Sequence, residues 1–335
     1  MLPAIFGFSG PRLTAEERDF FRDADPAGFI LFQRNCVDKE QMLALTDELR
    51  ALHGRGDVPI LVDQEGGRVA RLQPPVWPAF PKAEKFADLY RVAPMSAIEA
   101  IRANAQAIAI VLKEVGINVN CLPLLDVRQE CAHDIIGDRA LGFKPMQVAA
   151  LGRAVLEGMR AAGVVGVIKH IPGHGRSMED SHLQLPVVSA EEDALEVDLE
   201  PFIRLRNAQM GMTSHVVYTA WDQDRCASLS PIVIEAIIRG RIGFDGLLMS
   251  DDINMHALSG SFADRARGVL EAGCDLALHC SGELEEMVSV AEGAGEMSAK
   301  SRERLDRAMA TVAHTDGGAS YEELASKRDS LLSYA

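Results

Sequence analysis

One segment of the chain concentrates residues that could do chemistry. It begins Lys169-His170-Ile171-Pro172-Gly173-His174-Gly175, ends Asp180-Ser181-His182, and holds seven ionisable side chains and two glycines in fourteen residues. The segment follows the β-branched run 164–168, which is typical of a strand buried on both faces. Proline and glycine then disfavour regular structure. The sequence therefore predicts a buried strand that ends in a catalytic loop.

Asp180 and His182 are two residues apart, so an extended loop places both side chains on the same side. A carboxylate in that position can orient an imidazole, and an imidazole with a pKa of about 6.5 can donate and recover a proton at neutral pH. The spacing indicates an acid/base dyad. A solvated histidine beside an aspartate that caps a helix is the alternative.

Asp251 and Asp252 follow the apolar run 246–250 and so stand at the end of another predicted strand. Adjacent side chains of an extended chain point to opposite sides. We therefore expect Asp251 to face the pocket and Asp252 to support it or to cap the next element. A pair of helix N-cap residues is the alternative interpretation.

Four further residues have side chains suited to a substrate with many hydroxyl groups. Lys169 and His170 stand at a strand end, where a buried lysine needs a polar partner. Asp63 supplies acceptors, and Arg71 supplies a fork of donors. Salt bridges between loops are the alternative use of these charges.

No cofactor or metal ion is expected from the motifs. Gly66-Gly67 and Gly173-x-Gly175 match neither the dinucleotide fingerprint nor the phosphate loop, so nucleotide binding has weak support. Barrel hydrolases often bind a metal through sets such as His170, His174, His182 and Asp251, which leaves a metal site as an alternative. The spacing of these four residues matches no known metal motif.

The elements that position these residues alternate along the chain. Apolar runs predict eight strands, at 4–8, 29–32, 58–62, 117–125, 164–168, 210–213, 247–249 and 275–279. Helical periodicity lies between them, at 14–23, 39–52, 96–115, 145–162, 190–207, 231–239 and 262–272. Thr14 with Glu17 and Ser230 with Pro231 give two of the helix starts.

This order favours a closed (β/α)₈ barrel of a single domain, 1–335, over an open doubly wound sheet built from the same units. Helices from about residue 297 are expected to pack outside the barrel. Polar residues follow five of the strands: Asp63, Asp126 with Arg139, Lys169 with His170, His215, and Asp251. In a barrel they converge on the carboxyl face, where active sites of this fold lie.

The composition of the chain limits the classes of partner that it is expected to bind. The chain has 335 residues, 34 Lys plus Arg against 49 Asp plus Glu, and a formal charge of −15, which disfavours nucleic acid and anionic membrane surfaces. We expect no basic leader, no apolar run near the length of a membrane span, a cytoplasmic location and no obligate protein partner. The six cysteines are widely spaced without a CxxC pair, which indicates reduced thiols.

Several longer motifs resemble one family, the β-N-acetylhexosaminidases of glycoside hydrolase family 3, in the single-domain bacterial form that works in cell-wall recycling. The resemblance covers nearly the whole chain. In addition to the segment 169–182, it rests on Val62-Asp63-Gln64-Glu65-Gly66-Gly67-Arg68-Val69-Ala70-Arg71-Leu72, Gly137-Asp138-Arg139, Ser250-Asp251-Asp252-Ile253-Asn254-Met255 and Ala272-Gly273-Cys274-Asp275-Leu276-Ala277-Leu278-His279-Cys280.

The resemblance implies a role for each candidate. Asp251 corresponds to the nucleophile that forms a glycosyl-enzyme intermediate, and His182, oriented by Asp180, to the proton donor and later base. The residues expected to hold N-acetylglucosamine are Asp63, Arg71, Arg139, Lys169 and His170. The implied reaction is the retaining hydrolysis of terminal β-linked N-acetylglucosamine, with 1,6-anhydro-muramyl peptides as the natural substrates.

Two positions depart from the family pattern and bear on substrate preference. Ile171 stands where an aromatic residue is expected, and Arg176 is basic where an acidic or small residue is usual. Three alternatives to a hydrolase stay open. They are a phosphorylase, since a neutral histidine base would not repel phosphate, a metal-dependent barrel hydrolase, and a barrel that binds sugar without catalysis.

Overall fold

The computed structural model describes residues 1–129, 135–179, 185–312 and 318–334, and in it eight parallel strands close into a barrel. Each strand pairs with the next along the chain, and β8 closes against β1. This confirms the (β/α)₈ barrel and excludes the open sheet. The strands are Leu2–Phe6 (β1), Pro26–Leu31 (β2), Ile60–Val62 (β3), Val119–Asn120 (β4), Val165–Ile171 (β5), Met210–Thr213 (β6), Leu247–Asp252 (β7) and Leu276–His279 (β8).

Helices surround the barrel. They are Ala15–Ala24 (α1), Lys39–His53 (α2), Ala83–Val92 (α3), Pro94–Lys113 (α4), Pro145–Ala161 (α5), Glu192–Arg204 (α6), Phe262–Ala272 (α7), Leu284–Ala294 (α8), Ala299–Met309 (α9) and Tyr321–Leu332 (α10), with a π-helical segment at Val233–Arg241. Helices α3 and α8 were not predicted from the sequence. Neither begins with a capping side-chain hydrogen bond, so the start signal used elsewhere is missing there.

The predicted helix starts are present. The Thr14 side chain accepts a hydrogen bond from the Glu17 backbone, and the Glu17 side chain accepts one from Thr14 in return, which completes a capping box. Ser230 Oγ accepts a hydrogen bond from Val233 N at 3.1 Å and caps the segment that follows.

Helix α4 corrects one expectation. By length and composition alone it is apolar enough to cross a membrane, because alanine and isoleucine dominate it. About three fifths of its apolar window is buried within the structure (61%). Buried core helices meet the same criterion, and α4 packs against α3, α5 and α10.

The core has two main layers. One fills the barrel interior and includes Ile30, Leu61, Val167 and Met249. Its amino-terminal end is closed by α9, whose residue Leu305 joins the interior cluster. The larger layer lies between strands and helices. The C-terminal helix, α10, packs on α3 and α4, so the carboxyl end of the barrel is left for polar side chains.

Candidate active site

A pocket of about 210 Å³ opens at the carboxyl ends of the strands. It brings together six of the sequence-predicted site residues, namely Asp63, Arg71, Arg139, Lys169, His170 and Asp251. They come from the ends of β3, β5 and β7 and from the loops after β3 and β4. The remaining walls are provided by residues such as Ile30, Phe32, Met212, Met255 and Leu278.

A small hairpin after β3 returns the chain to the pocket. It pairs Gln64–Gly66 with Val69–Ala70 in antiparallel fashion. Gln64 holds it, because Gln64 Oε1 accepts hydrogen bonds from Arg71 N at 2.9 Å and Leu72 N at 3.0 Å. Asn120 Oδ1, at the end of β4, accepts a hydrogen bond from Gln64 N at 3.0 Å. This arrangement fixes Asp63 and Arg71 on the same side of the pocket.

The pocket floor contains a buried network of opposite charges. Lys169 Nζ lies 2.9 Å from Asp63 Oδ1 and 2.8 Å from Glu65 Oε1. Arg139 binds Glu65 with two hydrogen bonds, of 2.9 and 2.8 Å. Arg71 completes the set with a 3.2 Å contact to Asp63 Oδ2. Every buried charge in this group therefore has at least one opposite partner.

The network holds its members in their charged forms. Burial alone would raise the pKa of Asp63 and of Glu65, but Lys169 and the arginines outweigh it and hold both below their ordinary values. For Lys169, burial would lower the pKa, and the two carboxylates raise it instead. The floor is thus a fixed array of acceptors and donors at neutral pH.

A second group is built around Asp126, which is fully buried after β4. His170 Nδ1 lies 2.8 Å from Asp126 Oδ2, and His174 N donates a hydrogen bond to Oδ1 at 2.6 Å. Burial would raise the pKa of Asp126, but His170 outweighs it and lowers this pKa. When the neutral His170 ring donates from Nδ1 to this carboxylate, its Nε2 serves as an acceptor.

Asp251 and Asp252 both border the pocket, at the end of β7. Asp251 Oδ1 accepts a hydrogen bond from Asp252 N at 2.8 Å. Asp252 Oδ1 instead accepts hydrogen bonds from Asn254 N at 3.0 Å and Cys280 N at 3.2 Å, and so holds the following loop. Burial, together with the charge of Asp251, raises the pKa of Asp252 to about 6.

His215, which follows β6, contacts the backbone at the end of β7. Its Nε2 lies 3.0 Å from the Asp252 carbonyl oxygen and its Nδ1 lies 2.5 Å from Ser228 Oγ. The sequence placed His215 at the carboxyl face, and in the structure it is a fully buried support of the carboxyl end of β7.

The predicted dyad, Asp180 and His182, lies outside the residues that the structure describes. The two departures from the family pattern are described. Ile171 is fully buried against Gly211, among the side chains between strands and helices. Arg176 makes an ion pair with Asp198 of α6. Neither residue lines the pocket.

Within the described residues, no group of three or more His, Cys, Asp or Glu side chains is arranged to hold a metal ion. The metal alternative also used His182, which is not among them. The five cysteines in the described part of the chain are free thiols: Cys36, Cys121, Cys226, Cys274 and Cys280.

The sequence analysis gave no role to Glu65 or to Asp126. A usable signal existed for Glu65, because it stands two residues after Asp63, the same spacing that was applied to Asp180 and His182. Asp126 was expected at the carboxyl face after the fourth strand, but no local signal identified its partners. Its position depends on contact with His170 and His174 across neighbouring strands, which only the folded barrel brings about.

Comparison with known proteins identifies the relatives of this chain. Residues 4–314 match the profile described as the glycosyl hydrolase family 3 N terminal domain. A β-hexosaminidase of Methylococcus capsulatus is 40% identical over 282 residues, which are 83% of this chain and 82% of that protein. A β-hexosaminidase of Aromatoleum aromaticum is 36% identical over 83% of this chain and 79% of its own.

Solved structures agree. The native NagZ protein of Neisseria gonorrhoeae superposes with a TM-score of 0.87 at 31% identity, over 98% of this chain and 97% of its own. A complex of that protein with N-trifluoroacetyl-D-glucosamine gives a TM-score of 0.85 at 29% identity, over 99% and 96%. A family 3 β-N-acetylglucosaminidase of Paenibacillus gives 0.86 at 28% identity, over 98% of this chain and 66% of its own.

Proposed function

Because the chain belongs to glycosyl hydrolase family 3 and is a glycoside hydrolase of the β-hexosaminidase kind, we propose a specific activity for it. It removes terminal β-linked N-acetylglucosamine with retention of configuration. The observation that carries the proposal is the pocket itself, whose lining residues include Asp251 together with Asp63, Lys169, Arg139 and His170.

The proposed reaction is a double displacement. The Asp251 carboxylate attacks the anomeric carbon through an oxocarbenium-like state while His182 protonates the leaving oxygen. Water, deprotonated by His182, then attacks the anomeric carbon, and the bond between that carbon and the Asp251 oxygen breaks to release the Asp251 carboxylate. The relation between carboxylate separation and stereochemistry assumes two carboxyl groups, so it does not apply to an acid/base histidine.

The floor suits the polar groups of the sugar. Asp63 offers a charged acceptor for hydroxyl groups, and Lys169, Arg71 and Arg139, which Glu65 and Asp63 hold in place, offer donors. Their mutual ion pairs hold them in place before the sugar arrives, which reduces the ordering cost of binding. The Neisseria complex with an N-acylated glucosamine supports a sugar of this type.

The natural substrates that we propose are N-acetylglucosamine-containing muropeptides of the 1,6-anhydro-muramyl type, handled in the cytoplasm during cell-wall recycling. The support is the resemblance of the motifs to the single-domain bacterial form. Free cysteines in the described residues suit a reducing compartment.

The test compares release of 4-nitrophenol from the β-N-acetylglucosaminide and from the β-glucoside, in chelator, by the wild type and Asp251→Ala. We expect release from the first substrate alone, and its loss in the variant, because no nucleophile is left. Asp252→Asn is a matched control that keeps the nucleophile. Retained turnover with a burst phase in Asp251→Ala would contradict the assignment.

The acid role needs a separate comparison. His182→Ala should reduce kcat/KM for poor leaving groups far more than for activated phenols, which barely need protonation. Equal losses for both would remove His182 from this role. The phosphorylase alternative is tested by adding phosphate to the assay. Formation of sugar 1-phosphate would contradict the hydrolase proposal.

A further inference from the structure

Arg176 lies close to the proposed acid in sequence but points away from the pocket. Its guanidinium reaches α6, where Nε donates a hydrogen bond to Asp198 Oδ2 and an Nη donates to the Ala194 carbonyl oxygen at 2.7 Å. Only 3% of the Asp198 side chain is exposed. A carboxylate this deeply buried needs a cation, and Arg176 is the one that contacts it in the described structure.

The residues between β5 and position 180 form what we call the loop stem, 172–179. Three side chains from outside hold the stem. Tyr218 OH donates a hydrogen bond to the Gly173 carbonyl oxygen at 2.7 Å, and Asp126 Oδ1 accepts one from His174 N at 2.6 Å. The third side chain is that of Asp198, which forms an ion pair with Arg176.

Close packing adds to these contacts. Gly173 lies against Asp198, so that a Cβ built on it would come within 2.9 Å of the Asp198 Cβ. A Cβ on Gly175 would come within 2.0 Å of the Val127 carbonyl oxygen. Because these glycines have no Cβ, the stem can approach its neighbours closely.

We propose that the Arg176–Asp198 pair is a positioning device for the acid/base step, which fixes the loop stem to α6 and thereby sets the direction in which the chain enters the segment with His182. The inference rests on the proposed function, because it takes His182 as the acid. Only five residues lie between Arg176 and His182 in sequence, so rotation of the stem about its strand end would displace the acid. A displacement of about 1 Å is enough to reduce the rate by roughly 10²-fold.

The pair makes no contact with substrate in this proposal, so its loss should affect proton donation and spare nucleophilic attack. Arg176→Met should lower kcat/KM for the disaccharide chitobiose by roughly tenfold or more, within the range of about 10²–10⁴ that a general acid contributes. For the 2,4-dinitrophenyl glycoside, whose leaving group needs little protonation, we expect a change below about threefold.

Asp198→Asn is the second variant, since it removes the charge of the pair without leaving a carboxylate buried alone. It should give the same selective loss. The matched control is Arg239→Met, which breaks a comparable pair with Asp275, also 3% exposed, at the opposite end of the barrel. The control should lower the melting temperature and reduce kcat/KM for both substrates by the same factor.

His182→Ala, measured beside them, separates the two proposals. Suppose that His182→Ala lowers kcat/KM for chitobiose far more than for the 2,4-dinitrophenyl glycoside, whereas Arg176→Met and Asp198→Asn each lower both values by the same factor. The positioning proposal is then overturned, and the acid assignment stands. If His182→Ala itself does not discriminate, the assigned function has failed instead. Discrimination by the control as well would also overturn the positioning role, because loss of stability alone would then explain the effect.

Discussion

Lys169 and Glu65 meet beneath the pocket, with 2.8 Å between Nζ and Oε1, although one lies in β5 and the other follows β3. Both side chains are about 5% exposed or less, so their charges are shielded from water mainly by each other and by Arg139 and Asp63. The pair links two sides of the barrel mouth and sets the geometry of the pocket floor.

Glu65→Gln should therefore destabilise the protein strongly. It removes the carboxylate that neutralises Lys169 and Arg139, and breaking a buried pair in this way costs roughly 3–5 kcal/mol. The free energy of unfolding in urea measures the effect. Glu157→Gln, at a half-exposed pair with Arg102, is the control and should cost below about 1 kcal/mol. A similar small cost at both sites would show that the network contributes little.

Asp63→Asn should weaken sugar binding. The amide keeps the size of the side chain but loses the charge that holds Lys169 and Arg71, and a hydrogen bond to a charged group contributes about 1.5–3 kcal/mol. We expect kcat/KM for the 4-nitrophenyl N-acetylglucosaminide to fall by roughly 10-fold to 150-fold. Unchanged kcat/KM would exclude Asp63 from the sugar site.

Gly175→Ala should reduce activity by distorting the loop stem. Its new methyl group would lie 2.0 Å from the Val127 carbonyl oxygen, which belongs to the backbone and cannot move alone. Overpacking of this kind costs about 1–3 kcal/mol. Gly10→Ala is the control, because nothing lies within 4 Å of that position. Thermal unfolding and kcat/KM, measured on both variants, check the prediction, and wild-type values for Gly175→Ala would contradict it.

His279 should make the protein less stable as the pH falls. Burial lowers its pKa to about 4; the nearby Glu286 carboxylate opposes this shift, and Arg265 and Arg34 add to it. Between pH of about 6.5 and 4 the unfolded chain binds a proton that the folded chain does not. The free energy of unfolding therefore loses up to about 1.4 kcal/mol per pH unit over that window.

The measurement is the slope of unfolding free energy against pH in the wild type and in His279→Gln, with the exposed His256→Gln as control. The slope should become smaller only in His279→Gln. The comparison separates His279 from Asp252, whose raised pKa gives stability that is lost as the pH rises through about 6. Equal slopes in all three proteins would refute the prediction.

Local signals were enough to predict the barrel. Val- and Ile-rich runs alternate with helical periodicity, and each run that was expected to be a strand overlaps one of the eight barrel strands. Strand ends were less predictable. Lys169 and His170 were expected at the strand end, directly after the run 164–168, but they lie inside β5, because the strand continues until Ile171 pairs with Thr213 of β6. Charged side chains look like the end of a strand in sequence even where the backbone is still hydrogen-bonded to its neighbour.

The residues of the candidate site were also predictable only in part. Asp63, Arg71, Arg139, Lys169, His170 and Asp251 were named from sequence, and the structure gathers them at one pocket. The partners that fix them, such as Glu65 and Asp126, were not assigned, since those contacts join residues far apart in the chain. The significance of Arg176 was equally hidden, because its partner Asp198 lies on another element.

Helix α10 has a consequence for how the chain is made. It docks on the first third of the protein, where Arg328 binds Asn104 of α4 across 224 residues and Tyr321 packs edge-on against Phe80. Synthesis proceeds from the amino terminus, so the apolar surface of α3 and α4 emerges from the ribosome long before its cover. Burial of this part of the core is therefore among the last steps open to the growing chain, because α10 is made after every strand of the barrel.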